Sequence, residues 1–256
     1  MLRAIDHLVI AVPSLETAAK DYEALGFTVV PGGRHAGIGT YNALIAFEDT
    51  AYIELIGFYE PRPDHRWWAP LQAGGGLVDF CLQTDDLAGA AAALRRAGVD
   101  MGEPESRNRH RPDGFEVRWR FALARGAHRG QAPFVIADET ARDERVPRQR
   151  GHANGVTGIG TVTVAVGNLA TVRRWYAQVL GRAGEDIDRP DLGAIGVRFM
   201  IGPHAFEFVT PAGQPGAAAD WLGERGPSPY AATLRAGGAR GALDPAKTHA
   251  ARLTLE

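Results

Sequence analysis

The stretch of residues 5–27, IDHLVIAVPSLETAAKDYEALGF, decides how the chain folds. It opens with an apolar run typical of a buried strand, turns at a Pro-Ser pair, continues with apolar residues at helical spacing and stops at Gly26. Two later stretches follow the same plan: residues 77–99, LVDFCLQTDDLAGAAAALRRAGV, and residues 159–181, IGTVTVAVGNLATVRRWYAQVLG. A recurring unit indicates a repeat architecture, so the sequence predicts at least three copies of one module.

Each repeat continues with short β-like runs after its helix. In the first repeat, residues 27–30, 42–47 and 51–57 have this character. Each unit therefore reads as a strand, a helix and three strands, which is a βαβββ module of an α+β fold. Two further strand-like runs, around Tyr230 and at residues 248–256, have no helix of ordinary length between them. We interpret them as a degenerate fourth module.

The stretch of residues 138–154 is rich in charge, Pro and Gly, which is typical of a connection between folded units. We expect residues 1–137 to form the first pair of modules with the main cleft, 138–154 to form a linker, and 155–256 to form the third module plus the degenerate fourth. The arginines of the linker are predicted to be solvated: Arg142, Arg145, Arg148 and Arg150.

Composition narrows the class of partner. The 28 basic and 30 acidic residues leave a formal net charge of −2, which favours neither nucleic acid nor an anionic membrane as a partner. Cys81 is the only cysteine and lies in an apolar run, so we expect a buried, inert thiol and a reducing compartment. No secretory leader and no apolar run of about 20 residues is recognisable. The predictions are a cytoplasmic protein, a small-molecule ligand, no nucleic acid, no membrane, and the option of a homodimer.

The order of the segments resembles the glyoxalase-like domain of the vicinal oxygen chelate superfamily, which also includes bleomycin resistance proteins and extradiol dioxygenases. The resemblance rests on IDHLVIAV, GGRHAGIGTYNALIAF and YIELIGF, then on SRNRHRPDGFEVRW and APFVIADE, and finally on HANGV, PYAATLR and DPAKTHAARL. It implies an α+β fold in which βαβββ modules pair into half-open mixed-sheet barrels around a ligand pocket. In that superfamily the pocket often holds a divalent metal, bound by the first and last strands of paired modules.

The resemblance implies a candidate metal centre. His7 matches the first-strand ligand and Glu54 the last-strand ligand, and these two are the predicted catalytic residues. Aligning the repeats at the first leucine of each helix places Asp79 at the position equivalent to His7, which makes it the third candidate ligand. The fourth position, near Val135, is apolar. One imidazole and two carboxylates favour manganese or iron, with nickel and zinc as further options, while an incomplete site that binds no metal is the alternative.

Further residues are predicted to contact a ligand. In the first module, a glycine-rich segment at residues 32–42 that matches the family contains polar side chains. In the second module, Arg107 and Trp119 are expected to add a cation and an aromatic ring to the same cleft. The alternatives are an ordinary hairpin loop and plain core packing. The predicted ligand-binding residues are His35, Thr40, Asn42, Tyr52, Arg107 and Trp119.

The third module departs from this pattern. Thr161 and Glu207 occupy its equivalent positions, so it has the carboxylate without the histidine, and we expect this half to be structural. Two functions stay open for the first half. One is a metal-assisted lyase, isomerase or dioxygenase, and the other is a non-catalytic protein that binds or sequesters a small molecule.

Overall fold

The structure is a computed structural model that describes residues 1–238 and 240–256. Side-chain caps start three of the helices where the sequence predicts, because Ser14, Asp86 and Asn168 each accept a hydrogen bond from a backbone N–H of the first turn. The elements of residues 1–154 are β1 (Leu2–Ala11), α1 (Leu15–Ala24), β2 (Val30–His35), β3 (Thr40–Ala46), β4 (Tyr52–Phe58), α2 (Trp68–Gln72), β5 (Gly76–Thr84), α3 (Leu87–Arg96), β6 (Glu105–His110), β7 (Glu116–Ala122), β8 (Phe134–Asp138) and α4 (Arg142–Arg145).

The first eight strands form a closed barrel in the order β1-β4-β3-β2-β6-β7-β8-β5. β1 lies parallel to β4, with His7 beside Tyr52, and antiparallel to β5, with His7 beside Cys81. The sequence predicts a half-open barrel, whereas the structure closes it through a short β2–β6 pairing in which His35 lies beside Arg109. The α+β fold of paired βαβββ modules is confirmed.

The remaining elements build a second, open sheet of seven strands, in the order β10-β11-β12-β9-β13-β15-β14. Its third module is followed by one helix and three strands, of which the last two are short. The elements are β9 (Val156–Ala165), α5 (Leu169–Leu180), β10 (Glu185–Arg189), β11 (Ala194–Ile201), β12 (His204–Pro211), α6 (Ala217–Arg225), β13 (Ser228–Ala236), β14 (Gly241–Ala242) and β15 (Leu253–Leu255).

Strand alternation gives the barrel two distinct faces. On β1, Leu8 and Ile10 point outward into the large core that the barrel shares with the second sheet, where Phe80 and Phe206 lie 5.2 Å apart between ring centroids. Val9 faces inward with the smaller cluster inside the barrel. The second sheet therefore supports the outside of the barrel and leaves its interior free for a ligand.

The connection between the two sheets does not behave as a solvated linker throughout. Arg145, in α4, is only 2% exposed and forms ion pairs with Asp6 and Asp138. Arg148 is exposed, as predicted. The prediction was wrong for Arg145. Composition alone does not show that this segment packs against a buried carboxylate, Asp6, more than a hundred residues earlier in the chain.

A substitution at Gly33 can test how closely β2 and β6 approach each other where the barrel closes. Its φ of +120° suits glycine, and a Cβ atom there would lie 1.9 Å from the carbonyl oxygen of His110 on the facing strand. Gly37, with a φ of +73°, has open space around it. We expect Gly33→Ala to lower the free energy of unfolding by about 2 kcal/mol more than Gly37→Ala, as measured by urea denaturation. Equal losses would show that the β2–β6 contact is not tight.

Candidate functional site

A cleft of about 710 Å³, including its open mouth, occupies the interior of the barrel. One wall is aromatic and apolar, and the other carries the polar groups that follow from the inward positions of β1 to β4. The aromatic wall consists of Trp67, Trp119, Phe121 and Phe134.

His7 is held in one orientation. Its Nδ1 lies 2.7 Å from Asp6 Oδ1, and its ring stacks on Tyr52 at 4.6 Å between centroids. Burial alone would raise the pKa of Asp6, but the guanidinium groups of Arg145 and Arg142 hold it well below its usual value. Because Asp6 is thus a carboxylate, His7 Nδ1–H donates to it, and Nε2 is directed into the cleft toward Glu54.

Glu54 is a buried carboxylate with unusual partners. Asn42 Nδ2 donates to its Oε1 at 2.6 Å, while His7 Nε2 lies 3.5 Å from Oε2 and His35 Nε2 lies 3.7 Å from Oε1. Within residues 1–238 and 240–256, no lysine or arginine nitrogen comes within 4.0 Å of this carboxylate. Glu54 is therefore fixed by an amide and flanked by two imidazoles.

His35 completes a hydrogen-bonded chain that the sequence did not predict. Its Nδ1 lies 2.9 Å from Thr40 Oγ1, and its Nε2 lies 3.4 Å from Asn42 Nδ2. Burial lowers the pKa of His35 to about 4, against the opposing effect of Glu54, so the ring is neutral near pH 7. The Oδ1 atom of Asn42 is buried without a hydrogen-bond partner. Thr40, His35 and Asn42, which were predicted to bind a ligand, thus form a chain that ends at Glu54.

Asp79 lies in a different environment from the other two predicted metal ligands. The Trp67 Nε1–H group donates to its Oδ2 at 2.9 Å, and Arg66 Nη2 forms an ion pair with the same oxygen at 2.7 Å. Among the described residues, Asp79 belongs to no group of three donor atoms that lie within 4.8 Å of one another. The predicted ligand set of His7, Glu54 and Asp79 is therefore not brought together, because the β4–β5 loop inserts a guanidinium and an indole at this position.

A different cluster, Asp6, His7 and Cys81, does have its donor atoms within 4.8 Å of one another. Its chemistry does not suit a metal. Asp6 is already neutralised by arginines, and burial raises the pKa of Cys81, so the sulfur stays a thiol rather than the thiolate that a metal prefers. We assign this cluster to the support of His7.

Other predicted residues lie at the mouth and the floor of the cleft. Arg107 lines the mouth and pairs with Glu105 at 2.7 Å, and the Trp119 ring meets the His35 ring edge to face at 5.9 Å. The Tyr52 hydroxyl accepts a hydrogen bond from Arg145 Nη1 at 2.9 Å. Arg109 lines the cleft together with Arg66 and Arg145. Sequence reasoning missed Arg66 and Arg145 there, because charge-rich segments have no apolar period that shows which side chains turn inward.

In the described part of the second sheet, the equivalent positions are arranged differently. Glu207, the counterpart of Glu54, forms ion pairs with Arg189 at 2.5 Å and with Arg198 at 2.6 Å. Thr161 stands where the first module has His7, next to Ala205 of β12. Both carboxylate oxygens of Glu207 thus already accept hydrogen bonds from guanidinium groups, in contrast to those of Glu54.

Comparison with known proteins agrees with this architecture. The sequence model of the glyoxalase-like domain family matches residues 5–180. The chain therefore belongs to the glyoxalase-like domain family. None of the curated protein sequences matches it.

Solved structures share the fold at low sequence identity. A hypothetical protein from Staphylococcus aureus has a TM-score of 0.74 at 15% identity, covering 100% of this chain and 99% of that one. A triple mutant of 4-hydroxymandelate synthase from Streptomyces coelicolor has a TM-score of 0.63 at 16% identity, covering 96% and 78%. A xylose isomerase-like TIM barrel/4-hydroxyphenylpyruvate dioxygenase fusion protein has a TM-score of 0.53 at 16% identity, covering 93% and 37%. These likenesses establish the vicinal oxygen chelate fold.

Every helix among the described residues is too short or too polar to span a bilayer.

The support of His7 can be tested at Arg145. Arg145→Met would leave the buried Asp6 with Arg142 as its remaining cation, so we expect a loss of about 3 kcal/mol of unfolding free energy. Arg148→Met, at a side chain that is 73% exposed, should change stability by less than about 0.5 kcal/mol. Urea denaturation of both variants provides the measurement. Similar stabilities would contradict the assignment of Arg145 to the core of the barrel floor.

Proposed function

We propose that this protein is a metal-assisted enzyme that acts on a small molecule in the barrel cleft, with His7 and Glu54 as metal ligands. One observation carries the proposal. His7 Nε2 and the Glu54 carboxylate face each other at 3.5 Å, with no arginine or lysine nitrogen within 4.0 Å of that carboxylate among the described residues. Two electron-rich groups in this arrangement are stabilised by a cation between them.

The geometry supports a fit to a divalent ion. Two ligand atoms that each bind one ion at about 2.1 Å are about 3.4 Å apart at a tetrahedral angle and about 3.0 Å apart at an octahedral one, and the observed separation is 3.5 Å. Asp6 behind His7, and Asn42 beside Glu54, are partners of the kind that orient metal ligands. Imidazole and carboxylate suit manganese, iron, nickel and zinc.

His35 is the proposed third ligand in place of Asp79. It is neutral, its Nε2 faces Glu54 Oε1, and its ring is fixed by Thr40. The three donor atoms do not all lie within 4.8 Å of one another, so His35 must move toward His7 to share one ion with it. Two imidazoles and one carboxylate form the donor set of non-haem iron oxygenases, which favours a dioxygenase over a lyase or an isomerase.

Several residues of the cleft would have separate roles in such an enzyme. A bound ion would polarise a carbonyl or enolate oxygen of the substrate. Asn42 holds Glu54, Asp6 holds His7 in one tautomer, and the aromatic wall excludes water from the bound molecule. If His35 stays off the metal, its Nε2 can accept a proton from the substrate, although a pKa of about 4 makes it a weak base.

A binding protein without chemistry is the second candidate. The Arg66–Asp79 ion pair fills the place where the second module would supply its own ligand, and the wall around it is aromatic. Such a cleft can retain a planar apolar molecule without any metal.

Metal titration separates these candidates. We expect the wild type, freed of metal with a chelator, to bind one manganese, iron, nickel or zinc ion per chain in calorimetric titrations. Glu54→Gln should weaken binding about 100-fold because it removes a charged ligand. Glu207→Gln, at the equivalent position of the third module, should leave it unchanged. The absence of binding in the wild type, or equal binding in all three proteins, would end the metal hypothesis and favour sequestration.

A further inference from the structure

Four arginines line the cleft, and three of them have a carboxylate partner. Arg66 pairs with Asp79, Arg107 with Glu105, and Arg145 with Asp6. The fourth is Arg109, which lies on β6 opposite His35 of β2. Among the described residues it forms no ion pair, and it is the one unpaired cation of the cleft.

Arg109 is nevertheless 3% exposed. Its Nη2 donates a hydrogen bond to the carbonyl oxygen of Arg145 at 2.6 Å, and its Nε is buried without a hydrogen-bond partner. Burial lowers the pKa of Arg109, but a guanidinium stays protonated far above neutral pH. The chain therefore keeps a desolvated positive charge inside the barrel.

Such a charge is costly to bury without a counter-ion. Glu54 is more than 4.0 Å away and is already held by Asn42, so it does not form a direct pair with Arg109. The neighbouring Arg111, which lies outside the cleft, pairs with both Asp113 and Glu144. Among the described residues, Arg109 is thus the one cleft arginine without a carboxylate partner, which leaves the place of the counter-ion to a ligand.

We propose that Arg109 binds the negative charge of the ligand, and that the ligand is a small organic carboxylate with a planar apolar body. A guanidinium recognises a carboxylate by charge-assisted hydrogen bonds. Trp119, on the strand paired with β6, and Phe134 offer the surface for the apolar body. The proposal rests on the proposed function only in that the same cleft is the binding site, and it holds equally for an enzyme and for a sequestering protein.

The test uses phenylacetate and its neutral counterpart phenylacetamide as probes, with protein kept free of metal by a chelator. We expect calorimetry to show that the wild type binds phenylacetate at least about tenfold more tightly than phenylacetamide. Arg109→Gln should abolish this preference and leave the binding of the amide within about threefold of the wild type. Arg118→Gln, which alters an exposed arginine that pairs with Glu116 outside the cleft, should keep it.

Stability provides the second readout. An arginine with a purely structural role would lower the melting temperature when replaced, whereas removal of an unpaired buried charge should maintain or raise it in Arg109→Gln. Phenylacetate should raise the melting temperature of the wild type and not of the variant. Arg109→Lys, which retains the charge, should keep part of the preference and guards against misfolding of the glutamine variant.

An absence of preference for the anion in the wild type, including no binding at about 10 mM, would overturn the proposal. So would an unchanged preference in Arg109→Gln. Because no metal is present in these measurements, their outcome is independent of whether His7 and Glu54 bind an ion.

Discussion

A carboxylate buried in an apolar barrel must be neutralised or hydrogen-bonded, and this constraint organises the cleft. Asp6 is neutralised by Arg142 and Arg145, and Asp79 by Arg66. Glu54 differs, because its nearest partners are an amide and two imidazoles. Among the described residues, it is the buried carboxyl group of the barrel that has no arginine partner.

The same constraint explains why the connection between the two sheets folds back on the barrel. Asp6 orients His7 only while it is ionised, and it stays ionised because α4 delivers Arg145 to the barrel floor. Arg145 in turn binds the Tyr52 hydroxyl, whose ring stacks on His7. The orientation of one imidazole thus depends on a segment more than a hundred residues away along the chain. In the second sheet, Glu207 forms ion pairs with Arg189 and Arg198, and Thr161 stands in place of the histidine.

The sequence predicts the modules because their signals are local: alternating apolar strands, capped helices and glycine stops recur three times. It also predicts the neighbourhood of His7 and Glu54, since the first and last strands of a module pair side by side. The partners of Asp79 escaped prediction because the β4–β5 loop has no period that fixes which side chains turn inward. The burial of Arg109 could not be predicted from the sequence either. Its run ESRNRH alternates charges like a surface strand, and only the fold shows that one of these arginines is buried without a carboxylate.

The central claim, that Glu54 and His7 hold a cation, is tested most directly by anomalous diffraction from crystals grown with excess manganese. The account predicts an anomalous peak in the cleft, within about 2.3 Å of both His7 Nε2 and a Glu54 carboxylate oxygen. A peak between Asp6 and Cys81, or no peak in the cleft at saturating manganese, would contradict it.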